Sequence, residues 1–211
     1  MIKMKYSVAL IVGLAIISIS VFLYRGDSLY WFYPAPIGAW LFSDALFYFR
    51  GGKTTLQLVF NKKWKELLTL YIVFFVIGIL LELIGSILFN LWSYKLAGYT
   101  PTISAVFNSM HTNPLSALGW FIYPFMLVQF IGLYGFINSF FKNTVVSTVM
   151  SMILGIFMWE IPNVYSRDWV YAIPFVHWSI LGVNVVVIVG WLILIQLPVQ
   201  VNNFLNRLRT V

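Results

Sequence analysis

Two carboxylates inside apolar segments are the residues of this chain with the clearest potential for chemistry. Each glutamate stands nine or ten residues before a Trp-x-Tyr motif, and the two sets are Glu82 with Trp92 and Tyr94, and Glu160 with Trp169 and Tyr171. An acidic side chain within a bilayer costs about 2.5–3.5 kcal/mol, so it usually belongs to a pathway, a ligand site or a catalytic group. The recurrence predicts that both glutamates contribute to one site.

Two facing carboxylates in a dry aromatic cavity are suited to acid–base catalysis, because one can hold a proton while the other stays ionised. The protonated acid can attack a carbon–carbon double bond, and aromatic rings stabilise the resulting carbocation by cation–π attraction. Glu82 and Glu160 are therefore the candidate catalytic residues. The candidate substrate-binding residues are Trp92, Tyr94, Trp120, Trp159, Asn163, Trp169, Tyr171 and Trp178.

A structural role is the alternative for each of these side chains. Trp and Tyr are favoured at membrane interfaces, and each glutamate could pair with a neighbouring polar group to hold helices together. Pro162 frees backbone carbonyls of the preceding turn. Glu160, Asn163 and that exposed backbone could then form a polar pocket.

Other chemistries find less support in the sequence. The chain has no cysteine, which excludes disulfides, thiolate nucleophiles and Cys-bound metals. His111 and His177 are weak evidence for a metal, although His177 with the two glutamates could supply three ligands. We expect neither a metal nor a cofactor. Arg167 and Asp168 are expected to form a surface pair with each other or with Arg25 and Asp27.

The composition indicates a membrane protein. Hydrophobic residues make up 61% of the chain and charged residues 9%, whereas ordinary soluble domains are about 25% charged. The net charge of +7 comes mainly from lysines and arginines in segments that reach one side of the membrane. That asymmetry indicates topology, and no nucleic-acid partner is expected.

Six segments are candidates for membrane spans, which need about 20 mostly apolar residues. They are 6–24, 36–49, 67–90, 115–141, 144–161 and 174–199. We therefore predict an all-α polytopic membrane protein with about six transmembrane helices in a single transmembrane domain, 1–211. The positive charges predict a multi-pass protein of the cell membrane with both termini cytoplasmic. The first segment is expected to be an uncleaved anchor.

The spans could form three helix–turn–helix repeats. The first turn reads YRGDSLYWFYPAP and the third YSRDWVYAIPFVH, and the middle unit inserts a long loop, 95–114. Glu82 and Glu160 each lie about 24 Å along their helices, so they are expected at one depth. Asp44 is expected near the opposite boundary, in another interaction. A chance recurrence of Trp, Tyr and Pro is the alternative.

Two loops carry further predictions. In the loop 50–66, Leu56, Val59, Phe60 and Trp64 would share one helical face opposite the lysines. The loop is either an amphipathic helix on the inner leaflet or a solvated tether between spans. The loop 95–114 is long enough to lie on the membrane surface or to act as a lid over a cavity.

The run LLELIGSILFNLWSY resembles the repeat of small membrane-bound lycopene cyclases, in which an acid on a helix precedes a Trp-x-Tyr turn, and it is also similar to membrane carotenoid hydratases. FMWEIPN followed by DWVY is similar in the same way, and fungal membrane terpene cyclases share the plan of a short chain with paired acids. The resemblance implies that Glu82 and Glu160 act as an acid–base pair on an isoprenoid. The cyclase repeat has Pro-Leu-Glu-Glu on its following helix, whereas Pro124 is here followed by Phe125 and Met126.

These observations predict an integral membrane enzyme, a cyclase or hydratase that needs no cofactor and acts on an isoprenoid or another lipid-soluble substrate. A six-span binding or transport protein for a small cationic or aromatic ligand is the first alternative. A subunit of a membrane complex is the second. The expected partners are the lipid bilayer, an apolar or amphipathic small molecule, and either a second copy of the chain or a membrane complex.

Overall fold

The chain forms a helical bundle in the computed structural model, which describes residues 2–26, 28, 30–95 and 114–208. A π-helical segment, Leu83–Leu88, extends the fourth helix. The α-helices of the described residues are α1 Ile2–Arg25, α2 Pro34–Phe49, α3 Leu56–Phe60, α4 Trp64–Glu82, α5 Pro114–Phe141, α6 Thr144–Ser166 and α7 Val185–Leu208.

The bundle confirms the prediction of an all-α, multi-pass membrane protein. Five helices, α1, α4 with its π-helical extension, α5, α6 and α7, are long and apolar enough to cross a membrane. The other long helix, α2, has 16 residues, or about 24 Å at 1.5 Å per residue. It packs between α1 and α5, so its buried residues are covered mainly by protein.

Side-chain contacts identify the two ends of the bundle. At one end the hydroxyls of Tyr6 and Thr54 are hydrogen-bonded at 2.6 Å. At the other end the Tyr24 hydroxyl donates to the carbonyl of Pro162 at 3.1 Å. We call the first end, where α1 begins, the basal end, and the second the apical end.

Two apolar clusters form the core. The basal cluster centres on residues that include Tyr6, Trp40, Phe74 and Leu127. The apical cluster contains Trp31, Phe130, Trp159, Trp191 and Ile195. Tryptophans are therefore concentrated in the half of the bundle that contains the Trp-x-Tyr motifs.

Short strands lie at the apical end, in segments that the sequence analysis assigned to turns and to the start of the span 174–199. β1, Trp92–Tyr94, pairs antiparallel with β2, Trp169–Tyr171. β3, Ser179–Ile180, pairs with β4, Val183–Asn184. Segments of two or three residues are too short to produce an alternating sequence pattern, and their pairing depends on the helices that bring them together.

The predicted span 174–199 is wrong at its start. Helix α7 begins at Val185, because residues 179–184 form the β3–β4 hairpin, in which Leu181 and Gly182 have positive φ angles of 53° and 82°. The Asn184 side chain accepts a hydrogen bond from Val186 N at 2.8 Å, as a residue at a helix N-terminus does.

The basal loop also differs from the predicted amphipathic helix. The helical face through Trp64 is interrupted, since α3 ends at Phe60 and Lys62 has a φ of 56° before α4 begins. The Asp44 carboxylate holds α3 against the bundle: its Oδ2 accepts from Thr55 Oγ1 at 2.6 Å and from Leu56 N at 2.8 Å. Leu56 is accordingly 2% exposed.

Candidate functional site

Glu82 is buried at the apical end of α4 and is enclosed by aromatic hydrogen-bond donors. Its Oε1 accepts from the Tyr94 hydroxyl at 2.6 Å, and its Oε2 accepts from Trp92 Nε1 at 3.1 Å. The Tyr123 hydroxyl of α5 also hydrogen-bonds the carboxylate. Both oxygens therefore have partners, and the donors come from β1 and from a neighbouring helix.

Two glycines make this packing possible. A Cβ atom on Gly85 would lie 1.7 Å from the Trp92 ring, and one on Gly78 would lie 2.6 Å from the Tyr123 ring. The chain closes over the π-helical segment through a bond from Leu91 N to the Gly85 carbonyl at 2.7 Å. Both aromatic rings thus rest directly on the backbone of α4 and its extension.

Glu160 has an equivalent environment near the apical end of α6. Its Oε1 accepts from the Tyr171 hydroxyl at 2.7 Å and from Trp191 Nε1 at 3.0 Å. Trp169 acts on this site through the tyrosine, since its Nε1 donates to the Tyr171 hydroxyl at 3.0 Å. The motif tyrosine therefore binds its glutamate in both halves, while the second half adds an indole from α7.

Asn163 positions the second motif without facing the carboxylate. Its Oδ1 accepts from Trp169 N and its Nδ2 donates to the Trp169 carbonyl, both at 2.9 Å. Arg167, with a φ of 53°, ends the helix. Asn163 therefore belongs to the turn between α6 and β2 and does not share a polar pocket with Glu160. The Pro162 carbonyl accepts a hydrogen bond from the Tyr24 hydroxyl.

The β1–β2 ladder joins the two motifs. Trp92 is paired with Tyr171 and Tyr94 with Trp169. Bonds from Ala172 N to the Leu91 carbonyl and from Lys95 N to the Asp168 carbonyl, both 2.8 Å, flank these pairs. In that pattern the aromatic pairs occupy non-hydrogen-bonded positions, where side chains approach most closely.

We name this set of residues the glutamate–aromatic cluster. The β1–β2 ladder brings the surroundings of the two carboxylates together, and Tyr94 lies near both Tyr123 and Tyr171. The members of the cluster are Glu82, Trp92, Tyr94, Tyr123, Glu160, Trp169, Tyr171 and Trp191.

Burial keeps the two motif tyrosines protonated. Desolvation, followed by the proximity of Glu82, raises the pKa of Tyr94 well above its ordinary value. Desolvation and Glu160 act in the same way on the pKa of Tyr171. Both hydroxyls therefore remain donors at neutral pH. A hydrogen bond to a charged group contributes about 1.5–3 kcal/mol, so two or three offset the cost of an intramembrane carboxylate.

An aromatic layer from the first turn covers the second motif. Trp31 stacks on Trp159 and Trp169 at centroid distances of 6.1 and 6.5 Å. Its Nε1 donates to Asp168 Oδ2 at 2.5 Å, and Asp168 is 8% exposed. Asp168 is therefore a buried acceptor, which corrects the expected surface pair.

Several predicted substrate-binding residues lie elsewhere. Trp178 is 80% exposed and outside the glutamate–aromatic cluster, because it precedes the β3–β4 hairpin. Trp159 is buried in the aromatic layer, and its Nε1 has no hydrogen-bond partner among the described residues. Trp120 is half-buried on α5, and His177 is exposed. His111 and nearly all of the predicted lid, 95–114, lie outside the described residues.

Sequence reasoning missed three contributors to this region: Trp31, Tyr123 and Trp191. Trp191 lies six residues beyond the start of α7, or about 9 Å into the helix, deeper than an interfacial tryptophan. With the predicted start at 174, Trp191 would lie about 26 Å into the helix, too far from the apical end to be expected near Glu160. Gly78, which lies opposite Tyr123, points to the tyrosine only once α4 and α5 are known to be neighbours.

Comparison with family models, with curated proteins and with solved structures finds no match for this chain. The functional argument therefore depends on the geometry of the glutamate–aromatic cluster.

Proposed function

We propose that this chain is an integral membrane enzyme that acts on an isoprenoid or another lipid-soluble alkene, with Glu82 and Glu160 as an acid–base pair. The observation that carries the proposal is the β1–β2 register, which joins the Trp-x-Tyr motifs of both glutamates in one cluster. A pair of isolated structural acids would not require their tyrosines to meet.

The reaction needs no redox partner. The protonated glutamate transfers its proton to one carbon of a double bond, and a carbocation forms at the other carbon. A neighbouring double bond closes a ring on that cation, and the second glutamate removes a proton from the adjacent carbon. In a hydratase, water adds to the cation instead and gives up a proton to the second glutamate. In both cases one proton is donated and one is recovered.

The aromatic residues suit such an intermediate. Indole and phenol faces attract a cation by about 0.5–2 kcal/mol each, and the cluster provides them without a competing lysine or arginine, since no described basic side chain forms an ion pair with either glutamate. After each turnover the second glutamate releases its proton and the first takes one up, which restores the starting state.

The resemblance to membrane lycopene cyclases and carotenoid hydratases supports an isoprenoid substrate. In the cyclase repeat the acid precedes a Trp-x-Tyr turn. In this chain the tyrosine of each such turn donates a hydrogen bond to the glutamate that precedes it. The Pro-Leu-Glu-Glu acids are absent, so the proposal assigns both catalytic roles to Glu82 and Glu160.

Deuterium uptake from solvent tests the proposal without knowledge of the product. Purified protein in nanodiscs is incubated in D₂O with a panel of linear polyenes and analysed by mass spectrometry. We expect the wild-type protein to introduce deuterium into at least one polyene. Glu82→Gln and Glu160→Gln should each abolish this uptake, whereas Glu66→Gln, the control at the basal end, should retain it. Uptake that persists in both cluster variants would overturn the assignment.

A binding or transport protein is the second candidate, because buried carboxylates without a described cationic partner could receive a cationic ligand. Mass spectrometry of the molecules that co-purify separates the two. A long apolar isoprenoid supports the enzyme, whereas a water-soluble amine supports the binder.

The proposed orientation places both termini in the cytoplasm, at the basal end. Lys3, Lys5 and the lysines of 53–65 all belong to that end, in agreement with the positive-inside rule. Reporter fusions at residues 2 and 208 test this orientation, and a reporter active only outside the cell would contradict it.

A further inference from the structure

An apolar groove lies at the basal half of the molecule, away from the glutamates. It has a volume of about 580 Å³ and runs between α3, the start of α4 and the middle of α5. Its lining residues are Trp40, Val59, Trp64, Leu67, Leu68, Leu70, Tyr71, Pro124, Phe125 and Val128.

The groove is separate from the glutamate–aromatic cluster. Tyr71 and Phe125, which line it, are in ring contact at 5.8 Å. Further along the same helix pair, the Tyr123 ring covers Gly78 and its hydroxyl points to Glu82. The Tyr123 ring therefore fills the space between the groove and the carboxylate.

Pro124 contributes to the shape of the groove. A proline within a helix removes one backbone hydrogen bond and displaces the preceding turn. The Phe121 carbonyl in that turn accepts from the Tyr71 hydroxyl at 2.7 Å. The Tyr71 hydroxyl is thereby hydrogen-bonded to backbone, so its ring can line an apolar wall of the groove.

Positive charge lies at the basal opening of the groove. Trp64 lines the groove and is 57% exposed, and exposed Lys63 and Lys65 flank it in the chain. Lys65 is three residues before Leu68 within α4, a spacing that places it one turn below a lining residue, and Lys63 directly precedes the helix. The exposed pair of Lys63 with Glu66 at 3.2 Å is weak enough for another anion to compete.

We propose that this groove is a binding site for an anionic phospholipid, with an acyl chain along the groove and the headgroup phosphate at Lys63 and Lys65. An acyl chain matches the apolar walls, and the charge complementarity at the opening selects an anionic headgroup over a zwitterionic one. The site does not involve Glu82 or Glu160, so it can be tested independently of the proposed reaction.

Brominated lipids test the site, because bromine on an acyl chain quenches a tryptophan that it touches. Protein in neutral detergent is titrated with brominated phosphatidylglycerol or brominated phosphatidylcholine, and the Trp64 signal is taken as the difference between wild type and Trp64→Phe. We expect the anionic lipid to quench this signal at a roughly tenfold lower concentration.

A pair of charge-matched variants identifies the headgroup contact. Lys63→Gln with Lys65→Gln is expected to remove the preference for the anionic lipid, whereas Lys3→Gln with Lys142→Gln, which removes two charges elsewhere, retains it. Equal quenching by both lipids in wild type would overturn the proposal, since the groove would then be a nonselective apolar surface. So would a preference that survives the Lys63 and Lys65 changes.

Discussion

Trp92 and Tyr171 face each other across the β1–β2 ladder, and the same register places Tyr94 opposite Trp169. Ser93 and Val170 form the central pair, so each motif meets the other in reverse order. This is the arrangement that an approximate two-fold axis between two equivalent units would produce. It gives a physical meaning to the recurrence of the Glu and Trp-x-Tyr pattern.

A disulfide between positions 93 and 170 tests that register. Ser93→Cys with Val170→Cys places two cysteines at a hydrogen-bonded antiparallel pair, where Cα atoms are about 5.5 Å apart and a disulfide can form. Since the chain has no other cysteine, thiol counting after mild oxidation measures the bond directly. We expect both thiols to disappear.

Ser93→Cys with Ala172→Cys is the control for the register. This pair is offset by two residues, at about 7–8 Å, and should remain reduced under the same conditions. The opposite result, a bond in the offset pair alone, would mean that the strands pair in another register.

The tyrosine hydroxyls should stabilise the fold in a pH-dependent way. Tyr94→Phe and Tyr171→Phe each remove a donor to a buried carboxylate, at a cost of about 1.5–3 kcal/mol in the free energy of unfolding. Burial and the adjacent glutamate raise the pKa of both tyrosines. Deprotonation therefore favours the unfolded chain, so the stabilisation is complete below pH 10 and is lost as the pH rises above it.

Unfolding in detergent at pH 8 and at pH above 10 measures this effect. The double Phe variant should be less stable at pH 8 and should lose less stability than wild type at the higher pH. Tyr165→Phe is the control, because Tyr165 is 78% exposed, and it should follow the wild-type curve. Identical pH curves for wild type and the double variant would contradict the prediction.

Features that depend on a short stretch of sequence could be predicted, whereas features that depend on contacts between distant segments could not. Long apolar runs are local, so the membrane helices and both glutamates could be predicted. The β1–β2 register and the role of Trp191 depend on contacts between segments distant in sequence. The exposure of Trp178 could not be foreseen for the same reason: as an aromatic near a predicted helix start it resembles Trp169, and only the structure shows it outside the cluster, before the β3–β4 hairpin.

Trp191 should be as important to Glu160 as the motif tyrosine. Trp191→Phe keeps an aromatic ring but removes the Nε1 donor, which lies 3.0 Å from Glu160 Oε1. We expect a loss of about 1.5–3 kcal/mol in stability together with reduced deuterium uptake by polyenes. Trp178→Phe, at a site that is 80% exposed, should change neither measurement. A neutral Trp191→Phe would remove α7 from the site.

Gly85 should be required for the contact between Trp92 and Glu82. In Gly85→Ala the new methyl group would overlap the Trp92 ring, which lies 1.7 Å from the ideal Cβ position. Trp92 must then move, and we expect a loss of several kcal/mol or failure to fold. Gly190→Ala has no atom within 4 Å of its Cβ position and should gain up to about 1 kcal/mol from helix propensity. Melting temperatures measure both effects, and we expect the order Gly85→Ala below wild type and Gly190→Ala at or above it.

Asp44 should hold the basal loop in place. Its Oδ2 accepts from Trp40 Nε1, Thr55 Oγ1 and Leu56 N at 3.2, 2.6 and 2.8 Å, and the residue is fully buried. Loss of this acceptor leaves buried donors unsatisfied, at about 1–3 kcal/mol each. In Asp44→Ala we therefore expect α3 to detach and trypsin to cleave the lysines of residues 53–65 several-fold faster.

Two hydroxyl variants separate this role from a general loss of stability. Thr55→Val removes one bond to Asp44 and should raise the cleavage rate by a smaller factor. Thr69→Val removes an exposed bond to the Lys65 carbonyl and should leave the rate unchanged. Equal cleavage of all three variants and wild type would show that the Asp44 bonds do not hold α3. Selective cleavage would instead establish that a single buried carboxylate positions one wall of the apolar groove, since Val59 of α3 lines it.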